Sequence, residues 1–199
     1  MLVTALVVFF SAQMKGSRPR PGPRILVPAP AAAGGLTRDY AAERTIYRAA
    51  LTQLHGRFKP AWLGAASSYT AAVYDEPGRT DPATKAPVRL VFLGVNAVFL
   101  GVNAASSFGD ASTNLGNYLA GIAAGIAGHG ALGRPAQVPA GPGGGSAECA
   151  AATAASGKAT ICVWATGQTI GTLAVAAGDA GISELARIMR RMRPDLEHR

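Results

Sequence analysis

The stretch ECAAATAASGKATICVWATGQTIGTLAVA, from Glu148 to Ala176, gives the clearest indication of the fold of this chain. It contains three runs of small, β-branched and apolar residues, Glu148–Ala154, Thr160–Ala165 and Thr169–Ala176, which are typical of strands. Short turn-forming segments separate the runs, and turns of this kind join strands that lie next to each other in opposite directions. The stretch therefore predicts part of an antiparallel sheet.

Both cysteines of the chain lie in this stretch, on either side of the turn-like segment ATAASGK. Adjacent antiparallel strands can place Cys149 and Cys162 directly opposite each other, within reach of a disulfide. We predict this disulfide, and closing a loop of this length stabilises the fold by roughly 3 kcal/mol. An even cysteine count at hairpin spacing indicates an oxidising, extracytoplasmic compartment; two buried free thiols in a cytosolic domain are the alternative.

Downstream of the strands, apolar residues recur every three or four positions and predict a helix that starts near Ile182. The apolar positions are Ile182, Leu185, Met189, Met192 and, beyond a break expected at Pro194, Leu196. The arginines lie elsewhere on the helical wheel. We predict that the apolar stripe packs on the sheet; a basic helix lying on an anionic membrane surface is the alternative.

Weaker patterns upstream complete an α+β domain. We expect a helix capped by Thr37 or Asp39 and ended by Gly56, a strand at Ser68–Tyr74, a turn-rich loop at Glu76–Pro82, an apolar run from Val88, a helix at Ala111–Ala127 and a flexible loop over 128–146. The predicted fold is an antiparallel sheet with helices packed on one face.

A tandem duplication interrupts this pattern, because VFLGVNA occupies residues 91–97 and again 98–104. A shift of seven residues would invert the inward and outward positions of a single continuous strand. We therefore expect the first copy to pair in the sheet, and the second to form a hairpin partner, a bulged extension or an edge excursion.

The N-terminal part divides into two segments ahead of a domain that spans residues 36–199. Residues 1–14, MLVTALVVFFSAQM, are almost wholly apolar but match neither a full membrane span nor a complete signal peptide. We interpret them as an apolar anchor, part of a longer transmembrane or signal segment; a short buried strand or helix is the alternative. Residues 15–35 are rich in Pro and Arg and predict an extended linker.

The net charge of +8 comes mostly from the two ends of the chain. Residues 1–40 carry five bases and one acid, residues 181–199 five and three, and residues 41–180 nine and seven. A nucleic-acid-binding domain concentrates its bases on one face. This distribution therefore favours a basic tether beside a membrane and no nucleic-acid partner. The bases after the apolar segment favour a cytoplasmic domain by the positive-inside rule, which conflicts with the cysteine argument.

Residues that carry chemistry are sparse in this sequence. The histidines His55, His129 and His198 show no metal-ligand spacing, and Ser156-Gly157-Lys158 lacks the remainder of a phosphate-binding loop. We predict no catalytic residue, metal or cofactor. Trp164 is either a core residue or an anchor on a binding surface.

Two stretches, GGLTRDYAAE (Gly34–Glu43) and the segment Cys162–Glu197 with CVWATGQTIG and ELARIMRRMRPDLE, resemble a group of actinobacterial membrane-anchored or exported proteins of no established activity. Members often carry an acid after the Trp-Ala pair, where this chain has Thr166. The resemblance implies an exported domain tethered to a membrane.

Together these features predict a membrane-anchored domain on the outer side of the cell membrane. We expect a non-catalytic module that binds a protein or small-molecule partner. Two alternatives stay open: a multi-span membrane protein with a second span near Leu115, and a cryptic hydrolase that unites His129 with a serine and an acid.

Overall fold

A computed structural model of the full chain shows a protein built mostly of β-sheet. It describes residues 25–45, 66–81, 85, 87–97, 115–116, 119–120, 131–154, 157–166, 169–177 and 180–198. The strands within these ranges are β1 (Ile25–Leu26), β2 (Ala32–Ala33), β3 (Leu36–Arg38), β4 (Ala66–Thr80), β5 (Pro87–Ala97), β6 (Ala136–Gln137), β7 (Ser146–Ala154), β8 (Gly157–Ala165), β9 (Thr169–Ala177) and β10 (Glu197–His198). One longer helix, Ile182–Leu196, is called the C-terminal helix below.

Eight of these strands form one antiparallel sheet in the order β2-β3-β4-β5-β9-β8-β7-β6. Strands β7, β8 and β9 form the antiparallel meander that the opening stretch predicts, so that prediction is confirmed. The order also places β9 beside β5, so the chain returns from the β6 edge to the middle of the sheet. This return brings the two halves of the sequence into one core.

The β4–β5 hairpin extends further than the sequence indicates. The predicted strand Ser68–Tyr74 is part of a strand that continues to Thr80, through most of the predicted turn-rich loop. The pairing with β5 shifts between Asp75 and Thr80, where Gly78 has a φ of +74°. The turn-forming residues therefore produce an irregularity inside a strand and do not end it.

The first VFLGVNA copy lies in β5 and pairs with both β4 and β9, as expected. The second copy lies outside the described residues. The same holds for most of the predicted helices Asp39–Gly56 and Ala111–Ala127, of which residues 40–45, 115–116 and 119–120 are helical. Asp39 caps the first of these: its Oδ1 accepts hydrogen bonds from the backbone N–H groups of Ala41 and Ala42, both at 2.9 Å.

Part of the predicted loop 128–146 follows the edge of the sheet as an extended strand. β6 pairs with β7 there, and Gly133 N–H donates to the Ala151 carbonyl at 2.8 Å. Val138 N–H donates to the Ala147 carbonyl at 3.0 Å. Residues 131–138 of the predicted loop therefore include a short strand, because the open edge of β7 supplies backbone partners that a local pattern does not show.

Apolar side chains cover both faces of the sheet. The C-terminal helix buries Leu185, Ile188, Met189 and Met192 against one face, called the helix face below. Leu115 and Leu119 pack on the opposite face with residues such as Ile161 and Val163. The prediction that all helices share one face therefore differs from the structure, since alternate residues of the central strands are apolar on both sides and both sides need cover.

The C-terminal helix confirms the periodic pattern that begins at Ile182. The expected break at Pro194 is wrong, because the helix runs through Pro194 to Leu196. Pro194 lies in the last turn and is exposed, and because proline lacks an N–H group it makes no hydrogen bond to the carbonyl four residues earlier. The Glu197 N–H group closes the helix by donating to the Arg193 carbonyl.

Residues 25–35, assigned to the linker by the sequence, belong partly to the fold. β1 pairs with β10, and Val27 N–H donates to the Leu196 carbonyl at 3.0 Å. Gly34 N–H donates to Asp195 Oδ2 at 2.7 Å. These contacts involve residues before Pro28 and after Pro30, so the missing N–H groups of the two prolines do not prevent them.

No helix among the described residues has both the length and the apolar character needed to cross a membrane.

Candidate functional site

The predicted disulfide joins the two strands at the centre of the meander. Cys149 of β7 and Cys162 of β8 are direct partners in the register, with Cα atoms 4.0 Å apart, and their sulfurs are bonded. Both residues are completely buried on the helix face. The disulfide prediction is confirmed.

Trp164, two residues along β8, lies in the core of the helix face and is 1% exposed. Its ring stacks on Phe92 with the centroids 5.9 Å apart and the planes at 9°. Gly171 of β9 lies beneath it, and a Cβ atom there would overlap the indole ring. The core alternative is therefore correct, and Trp164 is no binding-surface anchor because almost none of its surface reaches solvent.

The Trp164 indole leads to a buried carboxylate. Its Nε1–H donates to Glu197 Oε1 at 2.6 Å, and Thr169 Oγ1 donates to the same oxygen at 3.1 Å. Glu197 is 2% exposed although it follows the C-terminal helix directly. It thus connects β8, β9 and the end of that helix through hydrogen bonds.

Arg193 supplies the opposite charge from one turn earlier. Its Nε and Nη2 donate to Glu197 Oε2 at 3.2 and 2.8 Å, and neither side chain is exposed. Nη1 donates to the carbonyl oxygens of Ala140 and Gly144, the latter at 3.0 Å. A Cβ atom at Gly143 would lie 2.5 Å from Nη2. The loop at Ala140–Gly144 therefore packs closely against the Arg193 guanidinium and turns two carbonyl groups toward its positive charge.

We call Trp164, Thr169, Arg193 and Glu197 the polar cluster. The Arg193 guanidinium also lies over the Trp164 ring, 5.6 Å from its centroid. The hydrogen bonds described above use both oxygens of Glu197, the indole N–H and all three guanidinium nitrogens. A buried ion pair with this many partners can hold helix, sheet and loop in one arrangement. It has little hydrogen-bonding capacity left for a ligand.

A second buried glutamate lies on the opposite face of the sheet. Glu148 of β7 is 7% exposed, and its neighbours on that face include Val163, Ala150 and Leu115. Its Oε2 would lie 3.5 Å from a Cβ atom placed on Gly116. Burial raises the pKa of Glu148 above its ordinary value. No hydrogen bond or ion pair of its carboxylate occurs within the described residues.

The part of the chain that the structure describes contains no candidate metal site. Three or more His, Cys, Asp or Glu side chains do not come together there in a group that could hold an ion. His198 lies in β10 and is exposed, whereas His55 and His129 lie outside the described ranges. The lysine of Ser156-Gly157-Lys158 is exposed beside the β7–β8 turn.

The stretches Gly34–Glu43 and Cys162–Glu197 meet around the helix face. A Cβ atom at Gly34 would lie 2.8 Å from the Met192 nitrogen, so only glycine allows this close approach to the C-terminal helix. Asp195 holds the Gly34 N–H group, and Glu197 holds the Trp164 indole. Thr166 Oγ1 lies 2.7 Å from Thr169 Oγ1 and accepts from the Thr169 N–H group at 3.0 Å. The contacts of these residues therefore stabilise the packing of the C-terminal helix on the sheet and the turn before β9.

No protein-family model, curated protein or solved structure matches this chain.

Sequence reasoning missed the polar cluster and Glu148. A signal for the pair was present, because Arg193 and Glu197 have the i, i+4 spacing that brings side chains together on a helix. Burial of the pair was not visible, since it depends on the loop at Ala140–Gly144 folding over it.

Proposed function

We propose that this chain is a membrane-anchored domain on the outer side of the cell membrane and acts as a non-catalytic binding module. The observation that carries the proposal is the buried Cys149–Cys162 disulfide in the middle of the sheet. Structural disulfides persist in oxidising compartments and are rare in the cytosol. The apolar residues 1–14 and the basic linker supply the means of attachment.

The non-catalytic part of the proposal draws support from how the buried polar groups are used. Arg193, Glu197 and Trp164 bond to one another and to a loop, in the core and away from solvent. A catalytic acid or base needs a free position at which it can reach a substrate. In the cryptic-hydrolase alternative the base is His129, which lies outside the described residues.

A multi-span membrane protein is the second candidate, favoured by the apolar pattern around Leu115. A chain that begins at Arg24 separates the two, because it keeps the β1–β10 pairing and lacks the apolar segment. The anchored-domain proposal predicts a monodisperse product without detergent. Aggregation that detergent reverses would favour the multi-span candidate.

Compartment is tested by thiol labelling in intact cells with a membrane-impermeant maleimide, before and after treatment with an impermeant reductant. The maleimide should label Cys149 and Cys162 only when the cells are treated with both the impermeant reductant and a denaturant, because both cysteines are buried. A Cys149→Ser/Cys162→Ser variant is the blank. Thiols that are free and label only after lysis would place the domain in the cytoplasm and overturn the proposal.

A further inference from the structure

We propose that the outer side of the C-terminal helix docks on an anionic bilayer surface through Arg187, Arg190 and Arg191. This inference rests on the membrane attachment in the proposed function, but not on which side of the membrane the domain lies. The helix uses its apolar stripe for the core, so the docking surface is its opposite, basic side.

The three arginines are available on that side. The side chains of Arg187 and Arg191 are 51% and 42% exposed, and their ion pairs with Glu184 and Glu76 are loose, at 3.7 and 3.6 Å. The methylene groups of Arg190 pack against Gly141. No ion pair of the Arg190 guanidinium occurs among the described residues. Such side chains can turn to lipid phosphates at little cost.

The acids near this surface already have other partners. Arg79 contacts both oxygens of Glu184, one of them at 2.9 Å, and also binds Glu76 at 3.0 Å. Asp195 accepts the Gly34 N–H group through Oδ2. These contacts reduce the repulsion that the carboxylates would exert on an anionic surface, and the basic side of the helix keeps an excess of positive charge.

Further bases precede β1 in the sequence. β1 pairs with β10, so Ile25 lies against the two residues that follow the C-terminal helix. Lys15, Arg18, Arg20 and Arg24 precede Ile25. A stretch of ten residues spans at most about 35 Å. An anchor before Lys15 therefore keeps this end of the helix within about 35 Å of the bilayer surface.

The positive charge of this surface favours an anionic bilayer as its binding partner. Each Lys or Arg close to an anionic bilayer strengthens association by about fivefold, and the effect falls with salt. Three arginines on the helix therefore favour the docked orientation by about two orders of magnitude, in addition to the contribution of the linker bases.

The test measures the orientation of the full chain in vesicles by energy transfer to an acceptor on the lipid headgroups. One donor label is placed at Ser183→Cys, on the exposed side of the helix. The matched label is placed at Gln137→Cys, an exposed position of β6 that pairs with Glu148 and so lies on the opposite face. Vesicles contain either phosphatidylcholine alone or a mixture with phosphatidylglycerol.

We expect stronger transfer from position 183 than from position 137 in the anionic vesicles, and loss of this difference at high salt. Arg187→Gln/Arg190→Gln/Arg191→Gln should abolish it. Arg134→Gln/Lys158→Gln, which removes two exposed bases away from the helix, should leave it unchanged. Tryptophan emission and the urea midpoint check that each variant is folded.

Equal transfer from both labels, or transfer that the triple variant does not alter, would overturn the docking proposal while the attachment stands. A chain that floats free of both kinds of vesicle would instead refute the membrane attachment itself. The two failures are therefore distinguishable.

Discussion

Two glutamates are buried on opposite faces of the same sheet, and they have opposite surroundings. Glu197, on the helix face, accepts hydrogen bonds from Trp164 and Thr169 and pairs with Arg193. Glu148, on the other face, lies among aliphatic side chains, and burial raises its pKa. Burial removes water from both carboxylates, but only Glu197 has polar partners among the described residues that replace the water.

The specificity of the fold lies on the helix face. An ion pair with bonds to helix, sheet and loop permits one arrangement of these parts. An apolar face tolerates small shifts, because dispersion contacts have no preferred direction. We therefore expect substitutions on the helix face to cost more than those on the other face.

The largest effect is expected from Arg193→Met, which leaves the Glu197 carboxylate buried without its counter-charge. Breaking such a pair lowers the free energy of unfolding by roughly 3–5 kcal/mol. Urea unfolding followed by tryptophan fluorescence measures the loss. The double variant Arg193→Met/Glu197→Leu should regain part of it, since both charges are then absent. A loss below about 1 kcal/mol would show that the pair is not buried as described.

A smaller effect is expected from Gly171→Ala, also on the helix face. The added methyl group meets the Trp164 ring, so the indole must move from its place between Phe92 and Glu197. Overpacking of this kind costs roughly 1–3 kcal/mol.

Gly181→Ala is the matched control for this substitution. Nothing lies within 4 Å of a Cβ atom at Gly181, so the only expected cost is the lower preference for alanine at a helix N-cap, about 0.5–1 kcal/mol. Equal urea midpoints for the two variants would contradict the close contact of β9 with Trp164.

Glu148→Leu tests the other face and should stabilise the protein. It removes a buried carboxylate that lacks hydrogen bonds among the described residues, which raises the free energy of unfolding by roughly 1–2 kcal/mol at neutral pH. Thermal unfolding at several pH values provides the measurement.

The pH dependence of stability sharpens this test. The pKa of Glu148 is raised above its ordinary value of 4.5, so the folded state holds the proton more tightly than the unfolded state. Its contribution to stability is present at acidic pH and is lost as the pH rises through the folded pKa. Glu148→Gln should remove this decline, and an unchanged pH profile would show that Glu148 reaches water.

The smallest effect is expected from Tyr74→Phe on the helix face. The Tyr74 hydroxyl donates to the Pro30 carbonyl at 3.0 Å, and losing that bond costs about 1 kcal/mol. Burial raises the pKa of Tyr74 to about 12, so one tyrosine should ionise late in an absorbance titration and be missing in the variant. Tyr40→Phe, at an exposed position, should change neither quantity.

Much of the sheet could be predicted because its signals are local. The three strands of the meander, the helix from Ile182 and the Cys149–Cys162 pair follow from spacing within a few residues of each element. The strand β6 and the strand character of residues 76–80 could not be predicted, because they depend on the neighbouring strand that accepts their hydrogen bonds.

Local sequence patterns are enough to predict the antiparallel meander, its disulfide and the apolar stripe of the C-terminal helix, since periodicity and turn chemistry act over short distances along the chain. The burial of Trp164 and the pairing of Glu197 with Arg193 follow only from the tertiary fold, as does the lack of a partner for Glu148 among the described residues. Trp164 and Glu197 are 33 residues apart in sequence, and Arg193 and Ala140 are 53 apart. Contacts over such separations arise from packing whole elements together, which no local pattern contains.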